Sequence, residues 1–168
     1  MFTAIPSAAE TLGLTAPERL NEAHDVSAFD CGEPSINDFL RRRASTTRHA
    51  AVYVSCFEST TQVAAYYTLT NASVARDIMP KKLQRNSPAE HPLTLLGRMG
   101  VTLSMQGKGV ASDLVQDAIE RAIYAAQIVA STGIIVHPLN ARLEAFYSRI
   151  GFKPIPDLSE VTMLLSIR

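Results

Sequence analysis

Met105-Gln106-Gly107-Lys108-Gly109-Val110-Ala111-Ser112-Asp113-Leu114 places two glycines, with a lysine between them, at the mouth of a long amphipathic run. Glycine at a helix start costs backbone entropy, so the loop must need what only glycine offers. Two needs are compatible with the stretch. One is a tight turn. The other is close approach of bare backbone N–H groups to an anion, which the positive end of a helix dipole would favour. The spacing is neither that of Walker A nor GxGxxG, so the two common nucleotide fingerprints are absent.

Outward from this loop, the flanking segments define the fold. Before it, Leu93-Thr94-Leu95-Leu96-Gly97-Arg98-Met99-Gly100-Val101-Thr102-Leu103 reads as a strand that its glycines can splay or bulge. After it, Val110, Leu114, Val115, Ala118, Ile119, Ala122 and Ile123 recur at helical spacing, with Asp113, Asp117, Glu120 and Arg121 mostly opposite. Thr132 to His137 is a short, nearly continuous apolar strand of the buried kind. Asn140 to Arg149 is a second amphipathic helix, stopped by Gly151, and a last strand falls around Val161 to Ile167.

Upstream, AAVYVSCFE and QVAAYYTLTNASV form an antiparallel pair across Ser59-Thr60-Thr61. A helix begins near Pro34, runs through Ile36, Phe39 and Leu40, and ends in Arg41-Arg42-Arg43. Residues 1–14 read as a loose leader, and Pro80 to Pro92 as a long polar loop. The expected fold is an α+β (mixed α/β) sheet flanked by helices, in a single domain over residues 1–168.

Composition bounds the function. The 168 residues are 46% hydrophobic and 19% charged, which fits a folded globular chain. No apolar run reaches the roughly 20 residues that span a membrane, and the first residues lack the pattern of a signal peptide, so a cytoplasmic protein is expected. Formal net charge is zero, so bulk charge announces no nucleic-acid partner. Cys31 and Cys56 are expected as reduced thiols. Cys31, beside Gly32 near a helix start, is a candidate for a lowered pKa and a minor candidate for a nucleophile. The four histidines lack metal-ligand spacing and no CxxC occurs, so no metal is expected.

Gln106-Gly107-Lys108-Gly109-Val110-Ala111 resembles the Q/R-x-x-G-x-G/A pyrophosphate loop of the GNAT superfamily of acyl-CoA-dependent N-acyltransferases. Asn140, Tyr147, Gly151 and Phe152 resemble its second signature, Asn-x6-Tyr-x3-Gly-Phe. Leu14-Thr15-Ala16-Pro17-Glu18, Phe29-Asp30-Cys31-Gly32-Glu33, Val63-Ala64-Ala65-Tyr66-Tyr67 and Leu96-Gly97-Arg98-Met99-Gly100-Val101 narrow the likeness to the GNAT toxins of bacterial toxin–antitoxin modules. The resemblance implies the GNAT fold with a central, mostly antiparallel sheet. It implies acetyl transfer from acetyl-CoA to the α-amine of aminoacyl-tRNA, halting translation, in a homodimer neutralised by a ribbon-helix-helix antitoxin. The alternative within the superfamily is a small amine or a protein N-terminus as acceptor, and outside it a non-catalytic module that binds CoA. Where these toxins usually read Arg-Leu-Ala-Val-Asp, the chain has Arg98-Met99-Gly100-Val101-Thr102.

The resemblance also assigns roles. Main-chain groups of Met99 and Val101 align the pantetheine, and Gln106, Gly107, Lys108, Gly109, Val110 and Ala111 hold the diphosphate. Tyr147 is the general acid, its reference pKa of about 10 keeping it protonated at neutral pH; without the motif it reads as core beside Phe146 and Phe152. Asn140 is a cofactor contact or a helix cap. Arg41, Arg42, Arg43, Lys81, Lys82 and Arg85 are candidate tRNA contacts or ordinary solvated surface. Arg98, alone in an apolar strand, snorkels, meets a carboxylate, or faces the substrate. His137 reads as structural. No carboxylate base stands on the strand of Leu95 to Val101, which fits an α-amine acceptor: its pKa is roughly 7.7–8.0, against about 10.4 for a lysine side chain.

Overall fold

The computed structural model describes residues 7–167. In chain order these form α1 (Ala8–Thr11), β1 (Glu18–Arg19), α2 (Pro34–Asp38) continuing as a π turn (Phe39–Arg43), β2 (Ala51–Cys56) and β3 (Val63–Ala75). Then come α3 (Lys81–Gln84), β4 (Glu90–Val101), α4 (Val110–Ile128), β5 (Gly133–Val136), α5 (Ala141–Ile150), β6 (Lys153–Ile155) and β7 (Thr162–Ser166). The strands make a seven-stranded sheet in the order β1-β2-β3-β4-β5-β7-β6. The β1/β2, β2/β3, β5/β7 and β6/β7 pairs are antiparallel, and β4/β5 is parallel. A parallel neighbour needs a crossover connection, and α4 supplies it.

Two compact units make up the chain, with β3, β4 and α4 each continuing from one into the other. Among the described residues, the first comprises residues 7–69 and 98–118. Its core gathers Phe29, Phe39, Leu40, Val52, Val54, Val63 and Tyr66. Leu114, Val115 and Ala118 of α4 are buried as the periodicity requires. The expected exposed face of this helix needs correction: Asp113 and Asp117 are half-buried. Asp113 Oδ2 accepts a 2.7 Å bond from the Ala9 amide, and Asp117 accepts from the Tyr67 hydroxyl. Nor are residues 7–12 a loose leader, because Ser7 and Glu10 close a capping box on α1; residues 1–6 lie outside the described part.

The second unit comprises residues 70–97 and 119–167, packed around Val74, Met79, Leu83, Leu93, Ile135, Ile155 and Leu164. The long loop expected from Pro80 to Pro92 is instead the helix α3, pinned by buried Leu83, followed by the start of β4 at Glu90. All of β5 is buried, matching its apolar run. Ile123 departs from the expected apolar face of α4 and is 41% exposed. Fully buried His91 ties β4 to the residue before β5 through a 2.8 Å contact of Nδ1 with Thr132 Oγ1.

Candidate active site

In the first unit, β4 ends at Val101 and the chain turns through Leu103–Met105 into residues 106–109. Gly107 (φ +72°) and Gly109 (φ +89°) both occupy left-handed backbone, which explains the glycines. A Cβ on Gly107 would meet nothing within 4 Å, whereas one on Gly109 would come within 3.2 Å of Ala8 Cβ. The turn is exposed, Lys108 included, and delivers the chain to α4 with Val110 already buried. The first N–H groups of a 19-residue helix therefore open onto an uncovered main chain beside a cation. This arrangement fits a diphosphate. Gln106 has a further duty, since its Nε2 donates to Val101 O and to Cys31 O, each at 2.8 Å.

The same unit brings Arg43 and Arg98 together. Their guanidinium carbons stand 5.6 Å and 4.2 Å from the centre of the Phe39 ring, which stacks on Tyr66. Arg98 is thus exposed but seated on an aromatic face, a cation–π pairing its apolar strand did not reveal. Arg41 donates to the carbonyl of Phe29, and Arg42 is exposed. The basic run splits into a residue that braces the backbone, one that stacks, and one that faces solvent. The expectation of a lowered pKa at Cys31 is overturned. Its thiol is partly buried ahead of the helix, which begins only at Pro34, and burial pushes the pKa up. Both cysteines are free thiols.

The second unit carries Tyr147. Asn140 caps α5, its Oδ1 accepting from the Leu143 amide at 2.9 Å. Gly151 (φ +125°) ends the helix, and the amides of Gly151 and Phe152 close back on the Tyr147 carbonyl. The motif Asn-x6-Tyr-x3-Gly-Phe is therefore one capped helix that fixes a single aromatic position. Tyr147 is 5% exposed and packed edge-on against Phe146 and Phe152. Burial pushes its hydroxyl pKa up to about 12. His137 Nδ1 contacts Thr162 Oγ1 at 3.1 Å, as a structural residue would. Lys81, Lys82 and Arg85 are exposed, the two lysines on α3 and the arginine just after it. Among the described residues no group of three or more His, Cys, Asp and Glu is placed to hold a metal ion, and no helix is long and apolar enough to cross a membrane.

Residue reading missed Asp30 and Asn37. Asp30 is legible as the head of an Asx turn, since Oδ1 accepts from the Gly32 amide at 2.9 Å. Asn37, buried on α2, gives no local signal.

No family model matches the chain. Among known proteins, the tRNA-acetylating toxin of Mycobacterium tuberculosis is 37% identical over 156 residues, covering 91% of this chain and 93% of that protein. The solved structure of AtaT complexed with acetyl-methionyl-tRNAfMet superposes with a TM-score of 0.84 at 31% identity, covering 91% of this chain and 94% of that one. A tyrosine-to-phenylalanine mutant of AtaT, bound to the C-terminus of the antitoxin AtaR and acetyl-CoA, superposes with a TM-score of 0.76 at 28% identity, covering 92% and 94%. The left-handed glycine turn, the capped tyrosine helix and a relationship that spans nine-tenths of the chain agree, and the chain belongs to the tRNA-acetylating GNAT toxins.

Proposed function

We propose that the chain is a toxin acetyltransferase that moves an acetyl group from acetyl-CoA to the α-amine of aminoacyl-tRNA and so blocks translation. Acetyl-CoA supplies the acetyl group as an activated thioester. Gly107 to Ala111 hold its diphosphate through main-chain N–H groups and the α4 dipole, with Lys108 adding charge. Main-chain groups of Met99 and Val101 align the pantetheine, and an N–H there steadies the carbonyl oxygen as it gains charge. The neutral amine forms the new N–C bond as the C–S bond breaks. Tyr147 gives its hydroxyl proton to the departing thiolate and is reprotonated from solvent, while the amine releases its proton to water.

The observation that carries this reading is Tyr147, buried against Phe146 and Phe152 on the capped helix α5. That burial pushes its pKa up, so it holds its proton across the physiological range. No protein base is required, because an α-amine beside an ester titrates below the roughly 7.7–8.0 of an ordinary α-amine and is largely neutral already. Arg42, Arg43, Arg98, Lys81, Lys82 and Arg85 are proposed to meet acceptor-stem phosphates, all six being exposed. Arg41 braces the backbone by donating to the Phe29 carbonyl. Asn140 acts first as the cap of α5. The protein is proposed to work in the cytoplasm as a homodimer of single catalytic domains spanning residues 1–168, silenced by a ribbon-helix-helix antitoxin. The test is incubation with acetyl-CoA and a panel of acceptors. N-acetylated aminoacyl-tRNA is expected; acetylation of small amines or peptide N-termini with none on charged tRNA would replace this reading.

A further inference from the structure

The segment Phe29-Asp30-Cys31-Gly32 is bound on two sides within the first unit. On one side it meets α2. The Asn37 side chain, 8% exposed, accepts from the Cys31 amide through Oδ1 and donates to Asp30 Oδ1 through Nδ2, each at 2.9 Å. On the other it meets the end of β4. The Asp30 carbonyl accepts from the Leu103 amide at 2.8 Å and from Thr102 Oγ1 at 3.2 Å. The Cys31 carbonyl accepts from Gln106 Nε2, which also holds Val101 O.

Gly100 lets the two sides close. A Cβ there would come within 2.8 Å of Ile36 Cγ2, 3.1 Å of Phe29 Cζ and 3.3 Å of Cys31 Sγ. The carbonyl of Phe29 is in turn held by Arg41. Hydrogen bonds therefore tie residues 29–31 to the basic turn through Arg41, to α2 through Asn37, and to the residues that lead into the glycine turn through Thr102, Leu103 and Gln106.

We infer that Asp30 and Asn37 are positioning residues for acetyl transfer, a latch that sets the main chain of Val101 to Gln106 for the acyl donor and registers the basic turn Phe39–Arg43 against it. The inference rests on the donor site proposed above. Neither residue touches a substrate in this account; they act by fixing the carbonyls of Asp30 and Cys31. The pairing is chemically specific, because a carboxylate and an amide satisfy each other while two carboxylates at that distance repel. Asp30 is held below the usual carboxylate range by the Gly32 amide and the Asn37 side chain, as a group needed in its charged form would be.

The test is acetyl-CoA binding by calorimetry on the full-length protein, with the melting temperature measured alongside. The variants are Asn37→Asp, Asn37→Ala, the double variant Asp30→Asn/Asn37→Asp, and Tyr147→Phe as a control that leaves the latch alone. Asn37→Asp is expected to weaken binding roughly tenfold at neutral pH, and the double variant to recover part of that loss. Recovery is partial because the single Asp30 oxygen that accepts from both the Gly32 amide and Asn37 cannot be matched in both bonds by an amide. For Asn37→Asp, lowering the pH to about 5 should recover affinity relative to the parent at the same pH, as the two carboxylates come to share a proton. Unchanged affinity in folded Asn37→Asp and Asn37→Ala would overturn the latch, as would a double variant whose melting temperature recovers while its affinity does not. The functional reading fails differently: normal acetyl-CoA binding by the parent protein with no transfer to charged tRNA would defeat that reading and leave the latch standing.

Discussion

At the scale of single residues, Tyr147 decides the chemistry. Replacing it with phenylalanine removes one oxygen and keeps the ring between Phe146 and Phe152. The turnover number should fall about 100- to 10,000-fold, the usual share of a positioned proton donor, with acetyl-CoA affinity unchanged by calorimetry. Its titration gives a second test. With the folded pKa raised from 10.0 to about 12, the unfolded chain gives up this proton first. The associated stability is complete below about pH 10 and lost as pH rises towards about 12. Chemical denaturation across that window should show the decline, and Tyr147→Phe should make it shallower, with buried Tyr66, whose pKa is also pushed up by burial, carrying the remainder. Activity should not decline through Tyr147 anywhere in the neutral range. It should instead rise with pH through the pKa of the acceptor amine.

At the scale of elements, the turn from β4 into α4 joins sequence to function. Alanine at Gly107 or Gly109 forces a left-handed non-glycine residue, a cost of roughly 1–2 kcal/mol. The two sites should separate, because Gly107 faces open space while Gly109 abuts Ala8. Gly109→Ala is expected to lower the melting temperature more than Gly107→Ala, with both weakening acetyl-CoA binding; an equal effect would mean that α1 does not press on the turn. Much of this was legible, since caps and left-handed glycines are local. The elements that were not legible, α1, β1, α3 and β6, have four, two, four and three residues. Such short pieces have little intrinsic stability and exist through tertiary packing. The buried Leu83 of α3 and the bond from Ala9 of α1 to Asp113 are examples.

At the scale of the whole molecule, a chain of zero formal charge must recognise an anionic substrate by where its cations stand. The three consecutive arginines separate accordingly. Arg42→Ala should weaken binding to all charged tRNAs alike and reduce the slope of log affinity against log salt by roughly 0.7–0.9, one phosphate contact. Arg41→Ala should leave that slope nearly intact and lower the melting temperature instead, because the Phe29 carbonyl loses its donor, at a cost of about 1–2 kcal/mol. Salt titrations of tRNA binding, paired with thermal melts, distinguish the two.

The amino-acid sequence alone determined the order of the longer strands and helices, the glycine turn at 106–111 and the tyrosine helix from Asn140 to Phe152. Each depends on neighbours a few residues apart, through backbone preference, capping and hydrophobic period. Only the tertiary structure decided that Gly100 is a place for the side chains of Phe29, Cys31 and Ile36, that Asp113 accepts from the Ala9 amide of α1, and that the Asp30 carbonyl meets Thr102 and Leu103 just past β4. Those contacts join residues dozens of positions apart, and the chain carries no local trace of a bond whose partner arrives only on folding.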